Sequence, residues 1–246
     1  APVMNRDSIA VLHINGAIID GESTGDSPLG GGGVGSLTIR KALKRIEDEP
    51  LIRGLIIRID SPGGSAIASE SMWLGARRVA ERKPVWVSIG GMAASGGYYI
   101  AVAGDRIYLN PSSIVGSIGV VGGKFSMSGL YDMLNINVVP RSRGPRGNLF
   151  ATTTGWSDSE RALVRDRMSQ TYDLFVQRVR SGRPSIDIAK TAEGRLFLGE
   201  DAVRLKMADE IGGLEAAMSD MAERLNLADG SYDIVDYPAP KSFAEA

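Results

Sequence analysis

Continuous apolar runs alternate with amphipathic stretches along the first part of this chain. Residues 8–14, 54–59 and 84–89 have the length and the largely apolar composition of strands that are buried on both faces of a parallel sheet. Residues 36–48 and 66–82 instead place apolar side chains at helical spacing. Strands that alternate with helices in this way predict an α/β fold with right-handed crossover connections.

The second part of the chain continues the alternation less regularly. Ser157 and Glu160 have the spacing of a capping box, which predicts a long helix that ends near Gly182. We interpret its apolar stripe as core packing, and the stripe comprises Val164, Met168, Tyr172, Phe175 and Val179. Shorter patterns predict strands at residues 106–109, 118–121 and 137–139, and helices at residues 127–134 and 214–225.

No internal repeat or linker divides the chain. We therefore predict one domain over residues 1–235, followed by an exposed tail at residues 236–246. Residues 20–35 are rich in Gly, Ser and Pro and are typical of a surface loop, after which Ser36 is placed to cap a helix. The loop lacks the Lys-Ser/Thr ending of a P-loop, which disfavours a phosphate site.

Composition narrows the function classes without choosing among them. The 246 residues are 43% hydrophobic and 23% charged, as in an ordinary globular protein. The net charge of -1 gives no sign of a nucleic-acid partner. The chain has no cysteine, which excludes disulfides, thiol catalysis and zinc–thiolate sites. No apolar run approaches the roughly 18–20 residues that span a bilayer, and we predict no cofactor or metal.

Two glycine-rich segments about thirty residues apart carry the candidate chemistry. Residues 60–65 (DSPGGS) and 90–99 (GGMAASGGYY) each follow a predicted strand and precede a helix-compatible stretch. Such turns can bring backbone N–H groups together, and the second turn also presents the hydroxyl of Ser95. A hydroxyl beside convergent N–H donors is the minimal requirement for acyl transfer. From spacing alone, Ser95 fits a nucleophile and a helix cap equally well.

The two segments resemble the signal peptide peptidase A family, or protease IV, which are serine peptidases with a Ser/Lys dyad. The resemblance extends over four further segments: residues 8–18 (SIAVLHINGAI), 116–120 (GSIGV), 194–199 (GRLFLG) and 209–212 (DEIG). Periodicity cannot distinguish an open doubly wound sheet from a spiral of ββα units. The resemblance implies the spiral, which is the fold shared with Clp proteases and crotonases.

The resemblance also implies site roles. Ser95 would be the nucleophile, and Gly96 would donate its N–H to the oxyanion. Gly63 and Gly64 would supply the second donor, with Gly64 the better match. Ser117 would hold a lysine ammonium near the nucleophile, although a turn hydroxyl bonded to local backbone remains the alternative.

The general base is where the sequence departs from the family pattern. Single-domain members place the lysine after the strand that corresponds to residues 137–139, but residues 140–150 contain no lysine and Arg146 is nearest the expected position. The only histidine, His13, lies among strand residues, and Lys124 is the least implausible lysine. In two-domain members the C-terminal half carries the serine and the N-terminal half the lysine. The chain resembles that C-terminal half, so the expected partner is an N-terminal half that supplies the base.

The remaining expectations concern location, assembly and alternative functions. The chain begins with Ala1 instead of Met, and the family generally carries an N-terminal anchor, so we expect membrane or envelope association of the full-length protein. The resemblance implies peptide substrates, such as cleaved signal peptides, and a homo-oligomer. Two alternatives stay open: a crotonase-type acyl-CoA enzyme, and a non-catalytic assembly domain of the same fold.

Overall fold

The computed structural model describes residues 5–25 and 32–238. The chain forms two compact units. The main unit consists of Ala1–Gly119 and Phe175–Ala246, and the small unit of Val120–Leu174. None of the described helices is long and apolar enough to cross a membrane.

Strands and helices alternate through most of the chain. The strands are β1 (Ser8–Asn15), β2 (Ala17–Ile19), β3 (Gly33–Gly35), β4 (Ile52–Ser61), β5 (Val85–Ala94), β6 (Arg106–Leu109), β7 (Ile114–Gly116), β8 (Leu196–Leu198), β9 (Glu210–Ile211) and β10 (Asp233–Tyr237). The helices are α1 (Ser36–Asp48), α2 (Ala66–Ala80), α3 (Gly96–Ala101), α4 (Ser128–Met133), α5 (Asp158–Gly182), α6 (Ile188–Thr191), α7 (Gly199–Arg204) and α8 (Leu214–Leu225).

A largely parallel sheet organises the main unit. Its strand order is β10-β1-β4-β5-β6-β9, and β7 pairs with the second half of β5 while β8 runs antiparallel to β7. Strands β2 and β3 form a separate parallel pair. The α/β prediction is confirmed, and this arrangement is consistent with the Clp protease/crotonase-like spiral.

The core lies around β1, β4 and β5, whose side chains are almost all buried. Helix α8 covers part of the sheet, because Met221 packs with Ile56, Trp86 and Tyr108 in one buried cluster. Helices α1 and α2 contact each other closely where Gly75 leaves room, since a Cβ there would lie 2.8 Å from Leu43 Cδ1. The sheet whose strand ends carry the two glycine-rich segments is thus packed against helices.

Strand β5 runs further than its apolar pattern predicted. The run ends at Ile89, yet the strand continues through Gly90, Gly91 and Met92 to Ala94. The carboxylate of Asp60 accepts hydrogen bonds from Gly91 N (3.1 Å) and Met92 N (3.2 Å). These bonds satisfy backbone donors at the point where β5 changes partner from β6 to β7. The second half of β5 is therefore stabilised by hydrogen bonds to Asp60, although Gly90 and Gly91 contribute no apolar side chains.

Two predicted strands and one predicted cap are wrong. Residues 118–121 contribute only a single bridge at Ile118, because the strand that pairs with β5 is β7. Residues 137–139 form no strand, and Val139 is 72% exposed with no neighbouring strand to cover it. At α1 the cap residue is Gly35, with no side-chain bond, and Ser36 already belongs to the helix.

The capping box at α5 is confirmed. Ser157 N donates to Glu160 Oε2 (2.8 Å), and Glu160 N donates to Ser157 Oγ (3.3 Å). The apolar stripe behind it divides into two parts. Phe175 and Val179 are buried in the main unit, as core packing predicts.

The other three stripe residues are only half-buried. Val164, Met168 and Tyr172 line an open groove of the small unit, so core packing is wrong for them.

Asp236 and Tyr237, the first residues of the predicted exposed tail, instead belong to β10, and Tyr237 is buried. Residues 239–246 of that tail and residues 26–31 of the predicted 20–35 loop lie outside the described residues, whereas Gly33–Gly35 of the loop form β3. The one-domain boundary stays a prediction.

Candidate active site

The carboxyl ends of β4 and β5 bring the two glycine-rich segments together. The strands are paired up to Ser61 and Ala93, so the residues that follow them leave the sheet side by side. A Cβ built on Gly63 would lie 2.7 Å from Gly96 N and 2.8 Å from Ser95 Cβ. The two segments therefore meet, as their spacing predicted.

Ser95 has a strained backbone. Its φ of 50° and ψ of -117° lie in a region that side-chain-bearing residues rarely adopt. Such a conformation costs on the order of 1–3 kcal/mol and is typical of functional turns. The sharp passage from β5 into α3 at this residue resembles the strand–turn–helix geometry that exposes a nucleophilic serine in hydrolases.

The Ser95 side chain does not cap α3. Ser95 occupies the cap position, but its Oγ accepts no hydrogen bond from the first turn. Among the described residues we find no other hydrogen-bond partner for this hydroxyl, which is half-buried. Ser95 therefore does not act as a helix cap through its side chain, and its hydroxyl can bind a ligand.

Two backbone N–H groups lie next to this hydroxyl. Gly63 N is already committed, because it donates to Ser61 Oγ at 3.1 Å. Within residues 5–25 and 32–238, neither Gly64 N nor Gly96 N has an acceptor. A Cβ on Gly96 would lie 3.3 Å from Gly64 N, so the two groups are neighbours. Two uncommitted donors beside a hydroxyl form the arrangement that stabilises an oxyanion.

Strand β2 holds the first glycine-rich turn in place. Ile18 N donates to Gly63 O (2.8 Å), and Ser65 N donates to Ile18 O (2.9 Å). Gly64 sits between these bonds with a φ of +154°, and a Cβ there would lie 2.1 Å from Ile18 O. Only glycine fits, because any side chain would collide with backbone.

Ser65 stabilises the start of α2. Its Oγ accepts a hydrogen bond from Ala68 N (3.2 Å) and donates to Asp20 Oδ2 (2.8 Å). These bonds are those of a helix cap, so Ser65 supports the turn without presenting a donor to the candidate oxyanion position.

Changing Gly64 to Val should therefore cost far more activity than changing Ser65 to Ala. Gly64→Val removes the conformation that exposes one oxyanion donor, and such a loss typically lowers kcat by about 10²–10³-fold. Ser65→Ala should cost about 1 kcal/mol of stability and leave most peptidase activity. Peptide hydrolysis and thermal unfolding of both variants are the measurements. Small and equal losses of activity would contradict the oxyanion assignment.

Ser117 is placed beside Ser95 by β7. Ala94 pairs with Gly116, and Ser95 N donates to Gly116 O at 2.9 Å. Ser117 itself has a φ of 50°, and its N donates to Arg195 O at 2.7 Å. No hydrogen bond from Ser117 Oγ to local backbone is found in the part of the chain that the structure describes. The two serines thus follow adjacent strand ends, with both hydroxyls available.

His13 is committed elsewhere. It lies on β1, which β4 separates from β5, and its Nε2 is 2.7 Å from Asp236 Oδ1 on β10. The ring therefore bonds toward the side of the sheet away from Ser95. The contact with Asp236 gives the only histidine a polar partner within the sheet.

Most of the described lysines contact other groups, and Lys206, just after α7, is exposed to solvent. Lys83 Nζ donates to Ile46 O and Glu49 O near the end of α1, and burial lowers the pKa of Lys83. Lys124 Nζ donates to Ala151 O within the small unit. The other lysines with acidic partners are Lys41, Lys44 and Lys190. Arg146 is exposed, and its guanidinium cannot act as a base. Lys241 lies outside the described residues.

A partly buried polar cluster that joins α2, α3 and α5 was not predicted from the sequence. Tyr99 Oη donates to Glu70 Oε2 (2.6 Å), and Arg178 binds the same carboxylate through two nitrogens. Burial raises the pKa of the Tyr99 phenol, which keeps it protonated as a donor. The guanidinium of Arg178 also stacks 4.2 Å above the ring of Trp73. These residues are separated by up to 108 positions, so no local spacing signals the cluster.

Nothing in the described residues suggests a metal centre. Over residues 5–25 and 32–238, no three His, Asp or Glu side chains gather closely enough to hold an ion.

Comparisons with known proteins show which family the chain resembles. The model of "Peptidase family S49" matches residues 77–228. The chain is 32% identical over 225 residues to "Serine protease SPPA, chloroplastic" of Arabidopsis thaliana, covering 90% of this chain and 33% of that protein. It is 33% identical over 226 residues to "Protease 4" of Haemophilus influenzae, covering 89% and 35%.

A shorter relative also aligns with almost the whole chain. The "Putative signal peptide peptidase SppA" of Enterococcus faecium is 28% identical over 241 residues, covering 95% of this chain and 67% of that protein. The chain spans about a third of the length of the first two relatives. The family match includes Ser95 and Ser117 and extends over about half of the main unit and all of the small unit. The chain belongs to peptidase family S49.

Proposed function

We propose that this chain is the serine-bearing part of a serine endopeptidase, with Ser95 as its nucleophile. The observation that carries this proposal is the strained, uncapped Ser95 beside two N–H groups that have no acceptor among the described residues. The names of the relatives, which include serine protease and protease 4, support the same activity.

The geometry indicates how hydrolysis would proceed. Ser95 Oγ attacks the carbonyl carbon of a peptide bond while its proton passes to a base. The carbonyl oxygen becomes an oxyanion and accepts hydrogen bonds from Gly64 N and Gly96 N. Collapse of this intermediate expels the amine, which takes up the proton, and leaves an ester on Ser95. Water then hydrolyses the ester through a second oxyanion at the same donors.

The proposed base is a lysine from an N-terminal half of the same protein. Relatives about three times as long as this chain have room for such a half. Ser117 would accept a hydrogen bond from the lysine ammonium and hold it near Ser95. A lysine can serve as a base when burial or nearby positive charge lowers its pKa.

The proposed substrates are peptides at a membrane or cell envelope, such as cleaved signal peptides. The printed name of the Enterococcus faecium relative, a putative signal peptide peptidase, supports this substrate class. The full-length protein would be anchored to, or associated with, that membrane.

A fluorophosphonate probe tests the proposed activity against the two alternatives. Labelling of the full-length protein at Ser95 is the expected result. A crotonase-type enzyme would use the same two donors for a thioester enolate, so it would bind coenzyme A and need no strained serine. A non-catalytic assembly domain would neither label nor bind coenzyme A. Either of these results would overturn the proposal.

We also expect the chain to assemble into a homo-oligomer. Large apolar side chains are strongly exposed on the small unit, among them Val121 (97%), Phe125 (87%) and Val139 (72%). Exposed apolar surface of this extent is typical of interaction sites. Light scattering should give a mass several times 26.1 kDa. A monomer at micromolar concentration, both for this chain and for the full-length protein, would contradict the prediction.

A further inference from the structure

The two candidate oxyanion donors stand at the starts of two different helices. Gly64 precedes α2, and Gly96 is the first residue of α3. Each donor therefore moves with its helix, and the separation of the two donors depends on how α2 and α3 are held together. Hydrogen bonds to an oxyanion weaken steeply when a donor leaves its optimal distance.

Two contacts join these helices close to the donors. A Cβ on Gly96 would lie 2.4 Å from Ser69 Oγ, so the helices nearly touch at that point. The second contact is polar: Tyr99, three residues after Gly96, donates its phenol proton to Glu70, six residues after Gly64. The bond is 2.6 Å long, as expected for a hydroxyl bound to a carboxylate.

The Glu70 carboxylate is itself held from a third helix. Arg178 on α5 donates to Glu70 Oε1 (2.5 Å) and Oε2 (3.2 Å). The Arg178 guanidinium is fixed over Trp73, and the Tyr99 ring packs against Phe175 at 4.7 Å between centroids. Arg178 restrains Glu70, and Phe175 restrains Tyr99. Because both partners are restrained, their hydrogen bond can set the distance between α2 and α3.

We propose that Glu70 and Tyr99 are positioning residues, whose hydrogen bond sets the spacing of the Gly64 and Gly96 donors for the oxyanion. Neither residue is proposed to touch the substrate. The inference rests on the proposed peptidase function, and it assigns the step that these residues affect: formation of the tetrahedral oxyanion and not the binding of substrate.

The test compares two phenol-to-phenyl changes in the active full-length protein. Tyr99→Phe removes only the hydroxyl that binds Glu70. Tyr108→Phe is the matched control, because Tyr108 Oη donates to the Asp220 carboxylate at the same distance, 2.6 Å, between β6 and α8. Both variants lose a tyrosine–carboxylate bond, so both should lose similar thermal stability.

Only Tyr99→Phe should change the chemistry. We expect its kcat to fall about 10–100-fold with little change in KM, since small displacements of catalytic groups have effects of this size. A peptide aldehyde provides the second measurement. Ser95 Oγ adds to the aldehyde carbon, and the resulting hemiacetal oxygen occupies the oxyanion position.

The aldehyde affinity of Tyr99→Phe should fall in parallel with kcat, whereas the affinity for the corresponding peptide alcohol should not change. Glu70→Gln, which keeps the shape and an acceptor oxygen, should retain more activity than Glu70→Leu. In the Glu70→Leu background, Tyr99→Phe should add little further loss.

The outcomes separate this inference from the proposed function. Equal effects of Tyr99→Phe and Tyr108→Phe on kcat and on aldehyde affinity would overturn the positioning role while leaving the peptidase intact. A wild-type protein that neither hydrolyses peptides nor binds the aldehyde at Ser95 would overturn the peptidase function, and the positioning role with it.

Discussion

Replacing Ser95 with Ala in the active full-length protein is expected to abolish peptide hydrolysis. Loss of a serine nucleophile typically lowers kcat by about 10⁴–10⁶-fold, because the remaining oxyanion donors act only on water attack. Hydrolysis of a peptide substrate and labelling by a fluorophosphonate are the measurements. Retention of more than about a tenth of the activity would eliminate Ser95 as the nucleophile.

The strain at Ser95 adds a second, independent readout. Ser95→Ala keeps a Cβ at a φ of 50°, so its unfolding free energy should match that of the wild type. Ser95→Gly relieves the strain of roughly 1–3 kcal/mol, partly offset by the greater freedom of glycine in the unfolded chain. The Gly variant should therefore be inactive and more stable by about 1 kcal/mol. Equal stability of all three proteins would show that the strain is not stored at this residue.

The parts of the fold that sequence could predict are those with local causes. Strand β1 and helices α5 and α8 follow from an apolar run, a capping box and an amphipathic repeat, and each cause acts within a few residues. The convergence of the two glycine-rich segments also follows from a local rule, because the carboxyl ends of neighbouring parallel strands lie at one edge of a sheet.

The parts that sequence could not predict depend on distant partners. Strand β5 continues through Gly90 and Gly91 because Asp60, on β4, accepts hydrogen bonds from Gly91 N and Met92 N. Residues 137–139 look like a strand but have no strand to pair with. The site shows the same contrast. Ser95 and Gly64 could be proposed from spacing and family resemblance, but the Glu70–Tyr99 bond exists only because the fold brings α2 and α3 together.

The 246-residue chain alone is expected to have little or no peptidase activity, and a lysine supplied from outside it should restore the function. A serine hydroxyl near neutral pH is a weak nucleophile without a proton acceptor. Among residues 5–25 and 32–238, His13 bonds to Asp236, and Lys83 and Lys124 bond to backbone carbonyls. Arg146 stays protonated at any relevant pH.

The test assays three proteins: this chain alone, the full-length protein, and the full-length protein with each candidate N-terminal lysine changed to Met. We expect inactivity, activity, and loss of activity for one particular lysine, because only a lysine within proton-transfer distance of Ser95 Oγ can serve as the base. That variant should keep its thermal stability and its affinity for non-cleavable peptides. Robust hydrolysis by the isolated chain, removed by Lys124→Met, would place the base inside this chain and refute the two-half architecture.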